Sequence, residues 1–94
     1  MTPMRAVPSV QLENARVVVT LWTFAPGAET GHHVHAMDYV VVPLTTGTLR
    51  LLEAQGARDA QLTAGVCYAR PAGVSHNVIN VNGYEFRFIE IELR

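Results

Sequence analysis

Apolar residues along the chain fall in short runs rich in valine, threonine and aromatic side chains. Gly, Pro and Asn separate these runs at intervals of roughly 8 to 12 residues, a rhythm typical of an all-β sandwich or barrel. No stretch keeps the apolar spacing of an amphipathic helix, so we expect no long helix. The predicted strands are residues 7–12, 16–24, 38–43, 48–53, 57–62, 66–70, 76–80 and 84–93.

The strongest turn signal is Asn82-Gly83, because a two-residue type I′ hairpin needs positive φ at both of its central residues. We expect this pair to join the last two strands directly. The other predicted turns also carry Gly or Pro, at Pro26-Gly27, Thr46-Gly47, Gln55-Gly56, Ala64-Gly65 and 71–73.

The last predicted strand carries bulky apolar groups on both faces. Alternation places Ile89, Ile91 and Leu93 on one face, and Phe86, Phe88, Glu90 and Glu92 on the other. A small monomer does not easily cover two apolar faces, so we expect Phe86 and Phe88 to pack against a second subunit in a homodimer. The alternative is a two-layer barrel that covers both faces itself.

Length and composition indicate one small globular domain, predicted to span residues 1–94. Seven basic against eight acidic residues leave a net charge of -1 with no cluster of either sign. We therefore expect neither a nucleic-acid nor a membrane partner.

Cys67 is the only cysteine, so no intrachain disulfide can form and a cytoplasmic location is expected. The longest apolar run, 39–44, is far shorter than the roughly 20 residues that cross a bilayer.

All four histidines lie in two short places, residues 32–35 and position 76. On an extended chain, residues two apart point to the same side, so His33 and His35 present both imidazoles to one surface. His76 would supply a third nitrogen from a neighbouring strand. Neutral imidazole binds Zn, Cu, Fe and Ni, so the three histidines are candidate metal ligands. His32 faces away by alternation and is predicted to be a surface residue.

The surroundings of these histidines form two motifs. In the first, five residues separate Gly27 from His33, and His35, Tyr39 and Gly47 follow. In the second, Gly65, Pro71 and Gly73 lead to His76 and then to Asn80. The pair resembles the two motifs of the cupin superfamily, and the whole chain resembles small single-domain cupins labelled BauB-like, associated with β-alanine and polyamine degradation. The resemblance implies a double-stranded β-helix, or jelly-roll, barrel.

The sequence departs from the cupin pattern at one ligand. Most metal-binding cupins have a glutamate four residues after the second histidine, where this chain has Tyr39. A phenol with a reference pKa of about 10 is a poor ligand, so we predict that Tyr39 donates a hydrogen bond to the substrate. Asp38 could replace the missing carboxylate only through a bulge, and Glu29 could reach the site from its loop. The sequence leaves both open.

The remaining three-histidine set resembles the cupin thiol dioxygenases and the diketone-cleaving cupin dioxygenases, which hold Fe(II). The resemblance implies an Fe(II)-dependent dioxygenase acting on a small organic acid or another chelating metabolite. Zn, Mn, Ni or Cu remain open as the metal. Two other functions also remain open: a non-catalytic sensor or accessory protein that binds a metal or metabolite, and a Zn- or Mn-dependent isomerase or lyase.

Two arginines are candidates for binding a substrate carboxylate. Arg70 precedes the Pro71 corner, and Arg87 shares a strand face with Ile89 and Ile91. Each could instead pair with a carboxylate of the protein. This structural role is favoured for Arg87, with Glu85 or Glu53 as its partner, whereas the sequence does not decide the role of Arg70. Trp22 and Tyr68 are predicted to be core aromatics rather than a substrate platform.

Overall fold

The computed structural model describes residues 4–94, so residues 1–3 of the predicted domain lie outside the described residues. Its regular structure is entirely β, as predicted, and every predicted strand is present with small changes at its ends. One short strand, β3, was not predicted. The strands are β1 Val7–Glu13, β2 Val17–Phe24, β3 His33–Val34, β4 Tyr39–Pro43, β5 Gly47–Glu53, β6 Gly56–Leu62, β7 Tyr68–Arg70, β8 Ser75–Asn80 and β9 Phe86–Leu93.

The strands form two antiparallel sheets that enclose the core between them. The larger sheet has the order β1-β2-β9-β4-β7 and the smaller one the order β3-β8-β5-β6. Core side chains come from both sheets, for example Phe24 and Val41 from the larger, and Leu49 and Val78 from the smaller. Along central strands such as β4 and β8, side chains therefore alternate between the barrel interior and the outside.

The central pair β2 and β9 fixes which face of the larger sheet is the inner one. Phe24 lies opposite Phe86, and Trp22 lies opposite Phe88. The rings of Phe24 and Phe88 are 5.5 Å apart between centroids, and both Phe86 and Phe88 are buried within the chain. Complete burial of one such side chain contributes about 1.5 to 3 kcal/mol.

The expectation that Phe86 and Phe88 cover a subunit interface is therefore wrong. The alternation along β9 was correct, but the phenylalanine face points into the barrel, as in the alternative of a barrel that covers both faces. Ile89 and Ile91 lie on the outer face and are half-buried. The homodimer stays a prediction, but the apolar face from which it was predicted is covered within the chain.

The predicted Asn82-Gly83 hairpin is also wrong. The strands that flank it, β8 and β9, lie in different sheets and do not pair with each other. Positive φ occurs at neither Asn82 nor Gly83. The Asn82 side chain instead bonds to the backbone of Thr48, accepting from its N–H at 3.0 Å and donating to its carbonyl at 2.8 Å. Long-range pairing thus overrides the local turn propensity.

Within residues 4–94, no helix is long and apolar enough to cross a membrane. The cytoplasmic location stays a prediction.

Candidate metal centre

Strand pairing at one end of the smaller sheet brings the histidines together. His33 on β3 lies directly opposite His76 on β8, so the two side chains share a face. Beyond the end of β3 the chain keeps the same pairing: the His35 N–H donates to the Val74 carbonyl, and the Gly73 N–H donates to the His35 carbonyl, each at 2.8 Å. Gly73 has φ of 94°, a conformation that suits glycine and starts the turn into β8.

The three imidazoles converge through their Nε2 atoms. Nε2 of His33 lies 3.0 Å from Nε2 of His35, which in turn lies 3.1 Å from Nε2 of His76. One ring nitrogen from each histidine lies within 4.8 Å of the other two. His35 and His76 are buried and His33 is half-buried, so the cluster belongs to the barrel interior.

A hydrogen bond fixes the tautomer of His33. Its Nδ1 lies 2.9 Å from the carbonyl oxygen of Gly31, which can only accept a hydrogen bond. Nδ1 therefore carries the proton, and in the neutral ring Nε2 presents its lone pair to the other imidazoles. Nδ1 of His76 is buried and makes no hydrogen bond to the described residues, so no such contact fixes the tautomer of that ring.

The other two imidazoles are neutral at pH 7. Burial is the main cause that lowers the pKa of His35 and of His76 to about 4. Repulsion from the neighbouring imidazoles and from the Arg70 guanidinium lowers both pKa values further. The neutral ring is the form that binds a metal.

The donor set fits one divalent metal ion. Metal–nitrogen bonds of about 2.0 to 2.1 Å, at angles from square to tetrahedral, place neighbouring nitrogens roughly 2.8 to 3.4 Å apart. The Nε2 separations of His33 from His35 and of His35 from His76 fall within that range, and the ligand nitrogens of His33 and His76 lie within 4.8 Å of each other. Hydrogen bonds alone would satisfy the cluster less well, because the single Nε2 atom of His35 faces the Nε2 atoms of two other imidazoles. A divalent cation held by His33, His35 and His76 would satisfy all three nitrogens at once.

Tyr39 packs directly against this cluster. Its ring stacks on His35 with centroids 3.8 Å apart and an angle of 18° between planes. Its hydroxyl is buried and has no hydrogen-bond partner among the described residues. Burial raises the pKa of Tyr39 to about 12, although the Arg70 charge lowers it in part, so the phenol keeps its proton. A neutral phenol is a hydrogen-bond donor and a poor metal ligand.

Neither carboxylate weighed as a substitute ligand is in the cluster. The Asp38 carboxylate is exposed and accepts a hydrogen bond from the Ala72 N–H at 2.8 Å, so it stabilises the turn before β8. Glu29 accepts from the Asn77 side chain at 3.1 Å. The group of converging donors contains the three histidines and no carboxylate from the described residues.

Sequence analysis missed a buried carboxyl group beside the cluster, that of Glu90 on β9. One of its oxygens lies 3.7 Å from Nδ1 of His35, too far for a direct hydrogen bond, and the other accepts from Nε1 of Trp22 at 3.4 Å. Burial raises the pKa of Glu90 to about 7 despite the bond from Trp22. The carboxyl group faces the Nδ1 side of His35, so it packs behind the ring and lies outside the Nε2 cluster.

His32 and Asn80 make structural contacts. His32 is exposed, as predicted, and its Nε2 lies 2.8 Å from the Ser75 hydroxyl. Asn80 is completely buried, and its amide donates to three backbone carbonyls, those of Phe24, Ala25 and Tyr84. Asn80 thus ties the end of β8 to neighbouring turns and does not line the cavity beside the histidines.

The histidine cluster lies in the wall of a small cavity of about 30 Å³ inside the barrel. The rest of the wall is mostly apolar and includes Val41, Leu49, Leu51, Leu62, Val78 and Phe88. Trp22 and Tyr68 line the cavity too, and Tyr68 is 39% exposed, so the prediction that it is a core aromatic is wrong. Tyr68 lies on β7, an edge strand, where no further strand covers it.

The two candidate arginines lie on opposite sides of the barrel wall. Arg70 lines the cavity together with the histidines. Arg87 is exposed on the outer face of β9, between the inward-pointing Phe86 and Phe88, so it has no access to the cavity.

The fold and the two-motif geometry agree with the family comparison. Residues 20–92 match the family described as the cupin domain. The chain belongs to the cupin family. The resemblance found in the sequence is thereby confirmed, and the barrel and the three converging histidines occupy the part of the chain that matches.

Individual cupins and related proteins support the same assignment. The chain is 59% identical over 90 residues to the beta-alanine degradation protein BauB of Pseudomonas aeruginosa, covering 96% of this chain and 95% of that one. It is 56% identical to a cupin domain from Bordetella pertussis Tohama I, with a TM-score of 0.98 and coverage of 100% and 98%. A double-stranded beta-helix protein from Klebsiella pneumoniae is 26% identical, with a TM-score of 0.78 and coverage of 95% and 76%.

Proposed function

We propose that this cupin is an Fe(II)-dependent dioxygenase-type enzyme that acts on a small organic acid or another chelating metabolite. The observation that carries the proposal is the cluster of three imidazole Nε2 atoms without a carboxylate among the converging donors. Three neutral ligands leave the full charge of a divalent ion to attract an anionic, chelating substrate. They also occupy only part of the coordination positions of a first-row metal.

Each part of the site has a role in this proposal. His33, His35 and His76 would hold the ion, and bound iron would supply the redox chemistry that lets dioxygen react with an organic substrate. Tyr39 keeps its proton and offers an unpartnered O–H beside His35, available to donate to a substrate oxygen. The mostly apolar wall lowers the local dielectric constant, which strengthens these polar contacts.

The substrate belongs, in this proposal, to the degradation of β-alanine or related amines. Support comes from the name of the Pseudomonas aeruginosa relative, which is 59% identical over nearly the whole chain. The cavity of about 30 Å³ is consistent with a small metabolite, since that volume accommodates little more than a water-sized group without side-chain movement.

A second candidate is a cupin that binds a metal or small metabolite without catalysis, because the histidine cluster and the cavity beside it would bind a ligand in either case. In that case ligand binding stabilises the fold but nothing is turned over. A Zn- or Mn-dependent isomerase or lyase is a weaker candidate, because the donor group lacks the carboxylate that such sites more usually include.

Oxygen uptake by the Fe(II)-loaded protein tests the proposal. The substrates are β-alanine-pathway acids, β-diketones and small thiols that carry a carboxylate. We expect oxygen consumption with at least one of them, loss of that activity in His76→Ala, and full activity in His32→Ala. Turnover in metal-free protein under anaerobic conditions would contradict the proposal, and stabilisation without turnover would favour the binding protein.

A further inference from the structure

Arg70 has a position that the chemistry described so far does not use. It ends β7 and lies opposite Tyr39 on the neighbouring strand β4, so both side chains project from the same face of the sheet. Neighbouring strands lie about 4.8 Å apart, and the Tyr39 ring itself stacks on His35. The guanidinium is thus placed one strand away from a side chain that contacts the histidine cluster.

Within residues 4–94, the guanidinium of Arg70 is weakly partnered. It makes no hydrogen bond to another described residue, and its nearest ion pair joins Nη2 to Oε2 of Glu53 at 3.8 Å. Glu53 is already engaged through its other oxygen by Nε of Arg58. Two guanidinium groups, those of Arg58 and Arg70, therefore share the Glu53 carboxylate. Arginine normally meets a carboxylate with two parallel hydrogen bonds, and Arg70 has neither.

The Arg70 guanidinium is accessible from outside the barrel. Its side chain is 24% exposed. Arg70 lines both the inner cavity and a shallower depression of about 340 Å³, and the two share Leu51, Ala60, Leu62 and Tyr68 as well. A ligand that entered the cavity from this depression would pass Arg70 on its way to the histidines.

We propose that Arg70 binds the carboxylate of the substrate, so that the substrate is a small organic acid whose other end reaches the histidine cluster. This inference rests on the proposed function and narrows its substrate class from any chelating metabolite to a carboxylic acid. Diketones and other neutral chelators are then poor ligands, because they leave the guanidinium without its anion. Arg70 acts as a specificity-determining residue, and the apolar wall between it and the histidines contacts the carbon chain.

Binding of a carboxylate and its neutral isostere tests the inference without turnover. Propionate and propionamide have nearly the same shape and differ in charge. Each is titrated into metal-loaded protein under anaerobic conditions at low salt, by calorimetry and by fluorescence of Trp22, the only tryptophan of the chain, which lines the cavity. We expect propionate to bind at least about tenfold more tightly than propionamide, as a charge-assisted pair requires.

Arginine variants locate the contact. Arg70→Met should reduce propionate affinity by about tenfold or more while metal content and unfolding temperature stay unchanged, and Arg70→Lys should restore part of it. Arg87→Met, which removes an exposed arginine on the outside of the barrel, is the matched control and should bind propionate like the wild type. Equal affinity for acid and amide, absence of propionate binding, or wild-type affinity in Arg70→Met would overturn the inference.

These results are independent of the oxygen-uptake test. Oxygen consumption that persists in Arg70→Met, together with unchanged propionate affinity, would contradict the role of Arg70 but not the dioxygenase proposal. The protein could instead bind propionate selectively through Arg70 and never consume oxygen. That result would contradict the dioxygenase proposal and support the carboxylate site.

Discussion

The rings of Tyr39 and His35 are stacked 3.8 Å apart, and the Tyr39 hydroxyl is buried beside the cluster without a hydrogen-bond partner among residues 4–94. An unsatisfied buried hydroxyl normally costs about 1 to 3 kcal/mol of stability. We therefore expect the Tyr39 hydroxyl to donate to a bound molecule, because the ring alone would pack equally well without it.

Removing only that hydroxyl separates the two roles of Tyr39. We predict that Tyr39→Phe keeps the metal content and unfolds at the same or a higher temperature, because the stacked ring stays and the unsatisfied group is gone. Oxygen uptake per metal should fall by about tenfold or more, the usual effect of losing a positioned proton donor. A variant that is less stable but fully active would show that the hydroxyl has a structural role instead.

The corner before His76 depends on the backbone conformation of Gly73. Its φ of 94° strains any residue with a Cβ, although an added Cβ would meet no atom within 4 Å. Gly73→Ala should therefore cost about 1 to 2 kcal/mol of stability through the backbone alone.

Gly83 is the matched control, because it too has open space around its Cα but lacks a positive φ. Gly83→Ala should change the free energy of unfolding by less than about 0.5 kcal/mol in denaturant titrations. A large loss of stability in Gly83→Ala would instead indicate that the type I′ turn predicted from the sequence exists in solution.

Stability of the metal-free protein should rise with pH between about 5 and 6. Folding lowers the pKa of His35 and His76 to about 4, so in this range the unfolded chain binds two protons that the folded chain does not. Folding raises the pKa of Glu90 to about 7, so there the folded chain binds one proton that the unfolded chain does not. Counting these three groups, the unfolded chain binds about one proton more than the folded chain. Acid therefore destabilises the fold.

Glu90→Gln removes the opposing group. The proton difference should then rise to about two, so the unfolding free energy of this variant depends more steeply on pH than that of the wild type. Chemical denaturation of both proteins at several pH values measures the slopes. Equal slopes, or a shallower slope in the variant, would contradict the assignment of a protonated carboxyl group at position 90.

Local patterns in the sequence predicted most of the strands but could not determine every long-range relationship. Alternation on β9 correctly placed Glu90 with Phe86 and Phe88. Both faces of that strand are apolar, however, so only its pairing with β2 and β4 shows which one is inside. Glu90 was missed as a neighbour of His35 for that reason. The Asn82-Gly83 turn failed because its flanking strands belong to different sheets.

The candidate site itself was more accessible to sequence reasoning. Spacing alone put His33 and His35 on one side of an extended chain, and the second motif supplied His76. The position of His76 opposite His33, in contrast, depends on the register of β3 and β8, which no local pattern encodes. The position of Arg70 in the cavity wall likewise follows from the pairing of β7 with β4.

The most direct test of the account is the metal content of the purified chain after anaerobic loading with Fe(II) and removal of free metal. Elemental analysis should find about one iron per chain in the wild type and in His32→Ala, and almost none in the His33→Ala/His76→Ala double variant. His32→Ala controls for incidental binding by a nearby exposed imidazole. A wild type without iron, or a double variant that retains as much iron as the wild type, would contradict the three-histidine centre.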